Sequence, residues 1–292
     1  MFNGLQDRYK ALLLGFFGYG VFVLSDTAVK VLTPHYSIYQ IIAATFVFAG
    51  VLFMAFSPWL GGVKSLYDPK NAHLHLIRGI ANFFGASLVV YFFSILPLTS
   101  VYTAMFLSPF IMALIAIPLH GEKVGLYRWI SMVIGFIGVL VAFRPWENNM
   151  PLWQFGLLMA APLSFSIMHS MMRIMKEPSD LAMGFYPMLI AFWPMTGMAL
   201  FVENYVPFAF EHLIYLFISA ICITLGFITL SRAFHIADSS LVSPLQYSQM
   251  LWGLLIGYFV FRDLPDMWMV GGSVLIIISG LYLIYRERQL GR

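Results

Sequence analysis

Two stretches of this 292-residue chain carry one pattern: SILPLTSVYTAMFLSPF at residues 94–110 and FHIADSSLVSPLQYSQM at residues 234–250. In each, an apolar run ends, a short polar link follows with paired hydroxyls (Thr99-Ser100, Ser239-Ser240), and a new apolar run begins. That new run holds a serine near its middle (Ser108, Ser248) and exits at an acid (Glu122, Asp263). Glycines mark the apolar run after it, Gly135 and Gly138 in the first copy and Gly271, Gly272 and Gly280 in the second. The copies lie about 140 residues apart, so the chain reads as two related halves, 1–146 and 147–292, which together form one membrane domain.

The residues around these stretches say what solvent they face. Apolar residues make up 61% of the chain and charged residues 10%, against roughly 45–50% and about 25% in a soluble domain. A soluble globule of this length could not cover so much apolar surface. Sixteen Lys and Arg against thirteen Asp and Glu, with no basic run, exclude a nucleic-acid partner. One cysteine, Cys222, inside an apolar stretch, leaves no disulfide and no cysteine-based metal site. The partners that remain are the lipid bilayer and a small molecule, with the chain acting as a monomer or a homodimer.

A hydrocarbon core about 30 Å thick takes roughly 20 apolar residues in a helix. Windows of that kind predict ten helices, near 11–33, 36–56, 74–95, 99–119, 126–144, 152–174, 182–202, 212–234, 240–261 and 267–285. Continuous runs of this length exclude a β-barrel, which would alternate in segments of about ten residues. The links are short and punctuated by proline, as at Thr33-Pro34, Ser57-Pro58 and Leu264-Pro265. Residues 1–10 precede an apolar run too long for a leader and without a small-x-small cleavage site, so they open a retained first helix. Assigning Lys and Arg to alternate links puts thirteen on one side and only Lys30, Arg144 and Arg262 on the other. The termini are therefore expected in the cytoplasm of a multi-pass protein of the bacterial inner membrane. Five helices per half is odd, so the halves must be inverted, an arrangement that places a transporter's substrate where the repeats meet.

The stretch HLIRGIANFFGASLVVYFFSILPLTSVYTAMFLSPFIMALIAIPLHGEKVGLYRWISMVIGFIGVLVAFRP (75–145) resembles the first EamA-type repeat of the drug/metabolite transporter superfamily. SSLVSPLQYSQMLWGLLIGYFVFRDLPDMWMVGGSVLIIISGLYLIYRER (239–288) is similar to the end of its second repeat. The likeness covers nearly the whole chain and rests on Ser-Pro within a helix, Gly-Glu at its exit, and Trp129, Gly135 and Gly138 beyond. The R-G-x-x-x-F-F-G segment and the ninth predicted helix are similar to the branch holding S-adenosylmethionine-uptake and riboflavin-type carriers. One departure is Arg262-Asp263, where a Gly-acid pair is common. The resemblance implies an all-α, ten-helix polytopic carrier of small organic metabolites working by alternating access, and it leaves the substrate open.

Ionisable residues inside membrane helices are costly, which makes Asp26 the clearest functional candidate. Lys30 lies one turn on, so two readings are open: a neutralising Asp26–Lys30 pair with Lys30 snorkelling outward, or a coupling or charge-anchoring carboxylate. In the ninth predicted helix Gln246 and Gln249 share a face, followed by Trp252, and two neutral amides suit a zwitterion or a heteroaromatic ring. They could equally bond a neighbouring helix, while Gly253 and Gly257 form a GxxxG packing pair. Tyr102 and Ser108, the latter before Pro109, sit in the fourth predicted helix, where a proline frees a carbonyl toward a cavity. Asn82, one turn from Arg78, completes the substrate-binding candidates. Gating candidates near the cytoplasmic boundary are Arg78, His169, Arg173 and Arg232, each also readable as a boundary cation. Trp193-Pro194 suits an aromatic-lined pocket.

No catalytic residue, cofactor or metal is expected. H-E-x-x-H, G-x-S-x-G and a P-loop are absent, and Asp263-x-x-Asp266 alone is poor ground for a metal. The expected function is a secondary transporter of an amino acid or a nucleoside-like metabolite such as S-adenosylmethionine. Riboflavin or another metabolite is the alternative cargo. An intramembrane lipid-modifying enzyme and a non-transporting scaffold are the alternatives of other classes.

Overall fold

The computed structural model describes residues 2–108, 110–112, 114–115, 126–144, 151–172, 174–175, 179–202, 205–236 and 243–289. Ten α-helices run along it: α1 (Phe2–Leu32), α2 (Ile38–Ala55), α3 (Ala72–Ile95), α4 (Leu98–Met105), α5 (Leu126–Phe143), α6 (Leu152–Met172), α7 (Asp180–Phe201), α8 (Phe210–Ile236), α9 (Ser248–Ile256) and α10 (Met267–Gln289). No strand occurs among the described residues. Spans Tyr9–Leu32, Ile38–Ala55, Val63–Ile95, Asp180–Phe201 and Phe210–Leu230 are long and apolar enough to cross a membrane. Large apolar side chains cover the outside, among them Trp193, Phe201 and Phe210. Trp193 is 67% exposed on this outer surface.

Local sequence sets the helix starts. Ser37 accepts the Gln40 amide and opens α2, and Ser179 does the same for α7 through Ala182. Three 3-10 turns fill the link between α2 and α3, which is fastened by Tyr186 and Ser179 hydroxyls donating to the Leu66 and Ser65 carbonyls.

The packing repeats itself when the halves are exchanged. α1 packs on α8 as α6 packs on α3, α3 meets α7 as α8 meets α2, and α1 meets α9 as α6 meets α4. The pairs α2–α7, α4–α9 and α5–α10 map onto themselves. α5 and α10 cross where Gly138 and Gly272 face each other: a Cβ at Gly138 would lie 2.9 Å from the Gly272 carbonyl. Those glycines, singled out in both sequence copies, let two backbones touch.

Candidate functional site

Of the ten helices, the two self-paired at the centre are the irregular ones. α4 stops at Met105, and the chain turns through Phe106 and Leu107 before Ser108 resumes helix. Pro109 has no N–H to give the Met105 carbonyl; its own placement lies outside the described residues. Its counterpart α9 is entered through a 3-10 turn (Ser243–Tyr247) and left through a π-turn (Gly257–Phe261) ending in left-handed Arg262 (φ 59°). Interrupted helices at a repeat interface are where transporters build their sites.

These interruptions carry polar atoms in want of partners. Ser108 Oγ and the Tyr247 hydroxyl are buried with no hydrogen-bond partner among the described residues. The Tyr247 ring meets that of Phe106, two residues before Ser108, edge-on at 5.2 Å, and its hydroxyl lies against Gly280 of α10. Gln246 and Gln249 are half-buried, and neither amide is bonded among the described residues. The Ser108 carbonyl, by contrast, is taken by the Ser166 hydroxyl of α6 at 3.0 Å.

Asp26 reaches the same region from α1. The Tyr102 hydroxyl donates to its Oδ2 at 2.8 Å, joining two candidates that lie 76 residues apart. Tyr102 is buried, with its ring against Gly253, where a Cβ would lie 2.8 Å from it, so this glycine of the GxxxG pair makes room for the tyrosine. Trp252 has a packing task. Its indole lies over Gly20, and Nε1 donates to the Phe16 carbonyl at 3.2 Å, holding α9 to α1.

Lys30 does not pair with Asp26. Its ammonium donates to the Leu96 carbonyl at 2.8 Å and to Asp263 Oδ2 at 3.4 Å, and lies over the Phe261 ring at 4.9 Å. The reason is desolvation: a flexible stem carries the charge toward the helix end, where Asp263 is partly exposed, rather than deeper into the apolar layer. Three residues on, Asp266 receives Arg144, while Arg262 lies over the Tyr258 ring at 5.7 Å. The three cations that the sequence set apart thus gather at one end, two of them bound to one turn of the other half. No cluster of three or more His, Cys, Asp or Glu side chains that could hold a metal occurs among the described residues.

At the opposite end Arg78 corrects the snorkelling reading, being only 1% exposed. Pro187 in α7 cannot donate to the Met183 carbonyl, and Arg78 Nη2 does so instead at 2.9 Å. Nε reaches the Met168 carbonyl in the last turns of α6 at 3.3 Å, and Nη1 the Met175 sulfur at 3.8 Å. Asn82 is likewise occupied, donating to the Pro187 carbonyl at 3.1 Å. His169 is exposed and bonds its own helix at the Phe165 carbonyl (2.8 Å). Arg232 is exposed beside Phe56 and Trp59, and Arg173 lies outside the described residues. The structure therefore brings together Asp26, Tyr102 and α9, and sets Arg78 and Asn82 apart as braces.

Sequence reading missed Tyr247 as an unsatisfied hydroxyl and Asp263 as the partner of Lys30. The inverted repeat held the only signal for both, since it places the α9 segment against α4 and α1.

The comparisons agree with this architecture. The chain is 26% identical over 269 residues to a Rickettsia prowazekii (strain Madrid E) protein named S-adenosylmethionine uptake transporter, covering 91% of this chain and 89% of that one. It is 25% identical over 231 residues to a riboflavin transporter of Brucella anthropi, covering 75% and 78%. A solved structure described only as "Crystal structure of protein" shares the fold at TM-score 0.67 and 16% identity, over 97% of this chain and 99% of its own. The EamA-like transporter family matches both halves, at residues 9–144 and 152–286, and the chain belongs to that family.

Proposed function

We propose that the chain is a secondary transporter of the bacterial inner membrane, with cytoplasmic termini, moving a small organic metabolite by alternating access. The cargo is an amino acid or a nucleoside-like molecule, foremost S-adenosylmethionine, as in the relative's name. The observation that carries the reading is the set of unsatisfied polar groups on and beside interrupted α4 and α9, Ser108, Tyr247, Gln246 and Gln249, together with one oxygen of Asp26 of α1 beside Tyr102. A buried polar group without a partner costs roughly 1–3 kcal/mol. A carrier whose cargo completes such groups turns that cost into recognition.

Riboflavin is the second reading, favoured by the two unbonded amides of Gln246 and Gln249, which suit a flat neutral heterocycle. Counterflow into proteoliposomes loaded with unlabelled compound separates the two. Labelled S-adenosylmethionine should exchange and riboflavin should not. Protein that exchanges neither, nor any member of an amino-acid panel, would overturn the carrier reading.

A further inference from the structure

We propose that Asp26 is the receptor for a positive charge on the cargo, a sulfonium or ammonium group seated beside Tyr102 and one turn inside Lys30. The inference rests on the metabolite-carrier reading and adds to it the charge of the cargo and the residue that reads it.

A carboxylate within a membrane helix needs a cation or a proton. Among the described residues no cation reaches Asp26. Lys30, one turn away, is held by Asp263, the Leu96 carbonyl and the Phe261 ring. Arg144 is committed to Asp266, Arg78 to the carbonyls of α6 and α7, and Arg262 to the Tyr258 ring. Neighbouring hydroxyls are spent as well: Ser25 bonds Ser219 across to α8, and Thr27 bonds the Val23 carbonyl of its own helix. Tyr102 takes Oδ2 and leaves Oδ1 without a partner among the described residues. Ser25 and Thr27 are buried on either side, whereas Asp26 itself is partly exposed.

The surroundings suit an organic cation. A sulfonium has no N–H to donate and is recognised by charge and by aromatic faces. Tyr102 brings its phenol to the carboxylate, and its ring is backed edge-on by Phe93 at 6.1 Å. The free amides of Gln246 and Gln249 would serve the uncharged part of the cargo.

The test uses the full chain in proteoliposomes and three molecules of nearly one shape. S-adenosylmethionine carries a sulfonium, sinefungin an ammonium at the same place, and S-adenosylhomocysteine a neutral thioether. The readout is competition against labelled S-adenosylmethionine counterflow. Wild type should prefer the two cations over the thioether by about tenfold or more. Asp26→Glu should keep the preference, and Asp26→Asn should bring it to within about twofold. Wild type that exchanges S-adenosylmethionine without discriminating against the thioether overturns the inference, even if no variant folds. So does Asp26→Asn that keeps the preference and loses only the pH dependence, for Asp26 then serves a proton. Wild type that exchanges none of the three defeats the S-adenosylmethionine reading itself.

Discussion

Lys30 of α1 and Asp263, on the turn after α9, face each other across the two halves with Nζ and Oδ2 3.4 Å apart. Their side chains are 13% and 36% exposed, so the pair is partly hydrated and worth about 1 kcal/mol. With Arg144–Asp266 on the same turn, it ties the first half to the second at one end. Asp263→Asn should favour the open arrangement at that end by about fivefold. The reporter is the rate at which a membrane-impermeant maleimide modifies Thr27→Cys in a Cys222→Ser background. Asp263→Glu should modify as slowly as the parent, and equal rates in all three would remove the latch.

Arg78 fills a gap that a proline creates. A lysine there is a single point charge and cannot serve the Met168 and Met183 carbonyls together as the guanidinium does. Arg78→Lys is expected to destabilise the fold by about 1–3 kcal/mol, read as a lower melting temperature in detergent. An unchanged melting temperature with slowed transport would return Arg78 to a gating role.

Neighbouring glycines in α10 should answer the same substitution differently. A Cβ at Gly272 would meet the Gly138 carbonyl and the Ala142 backbone, which cannot rotate away, whereas a Cβ at Gly271 would meet nothing within 4 Å. Gly272→Ala should cost about 1–3 kcal/mol by forcing α5 and α10 apart. Gly271→Ala should be neutral or slightly stabilising by helix propensity. Thermal unfolding of the two purified variants compares them directly.

Residues of α9 divide by whether a partner is present. Gln249→Ala should weaken cargo affinity about tenfold with the melting temperature unchanged, because its amide bonds nothing at rest. Trp252→Phe loses the bond to the Phe16 carbonyl, so it should lower stability by about 1 kcal/mol and spare affinity. The reverse pattern would exchange their roles.

Periodicity and repetition made the spans, the inverted halves and the pairing of the α4 and α9 segments legible before any coordinates. What stayed hidden were pairings across long separations. Lys30 meets an acid 233 residues away, and Arg78 meets a carbonyl 105 residues away that only Pro187 explains. One-turn spacing pointed Lys30 at Asp26, and the cost of drawing an ammonium inward decided otherwise. Trp252 looked like a ligand-facing ring because a sequence cannot show that Gly20 leaves it a seat.

The self-paired contacts α2–α7, α4–α9 and α5–α10 have an ancestral consequence. Each relates a helix to its own counterpart, so the surface of one half is complementary to that same surface turned over. Two separate five-helix polypeptides inserted head-up and head-down would recreate the assembly. Joining them in one polypeptide fixes their stoichiometry at one of each and frees the copies to diverge. Asp26 and the amides of α9 are the visible result, since they sit on opposite halves and neither is duplicated at the matching place.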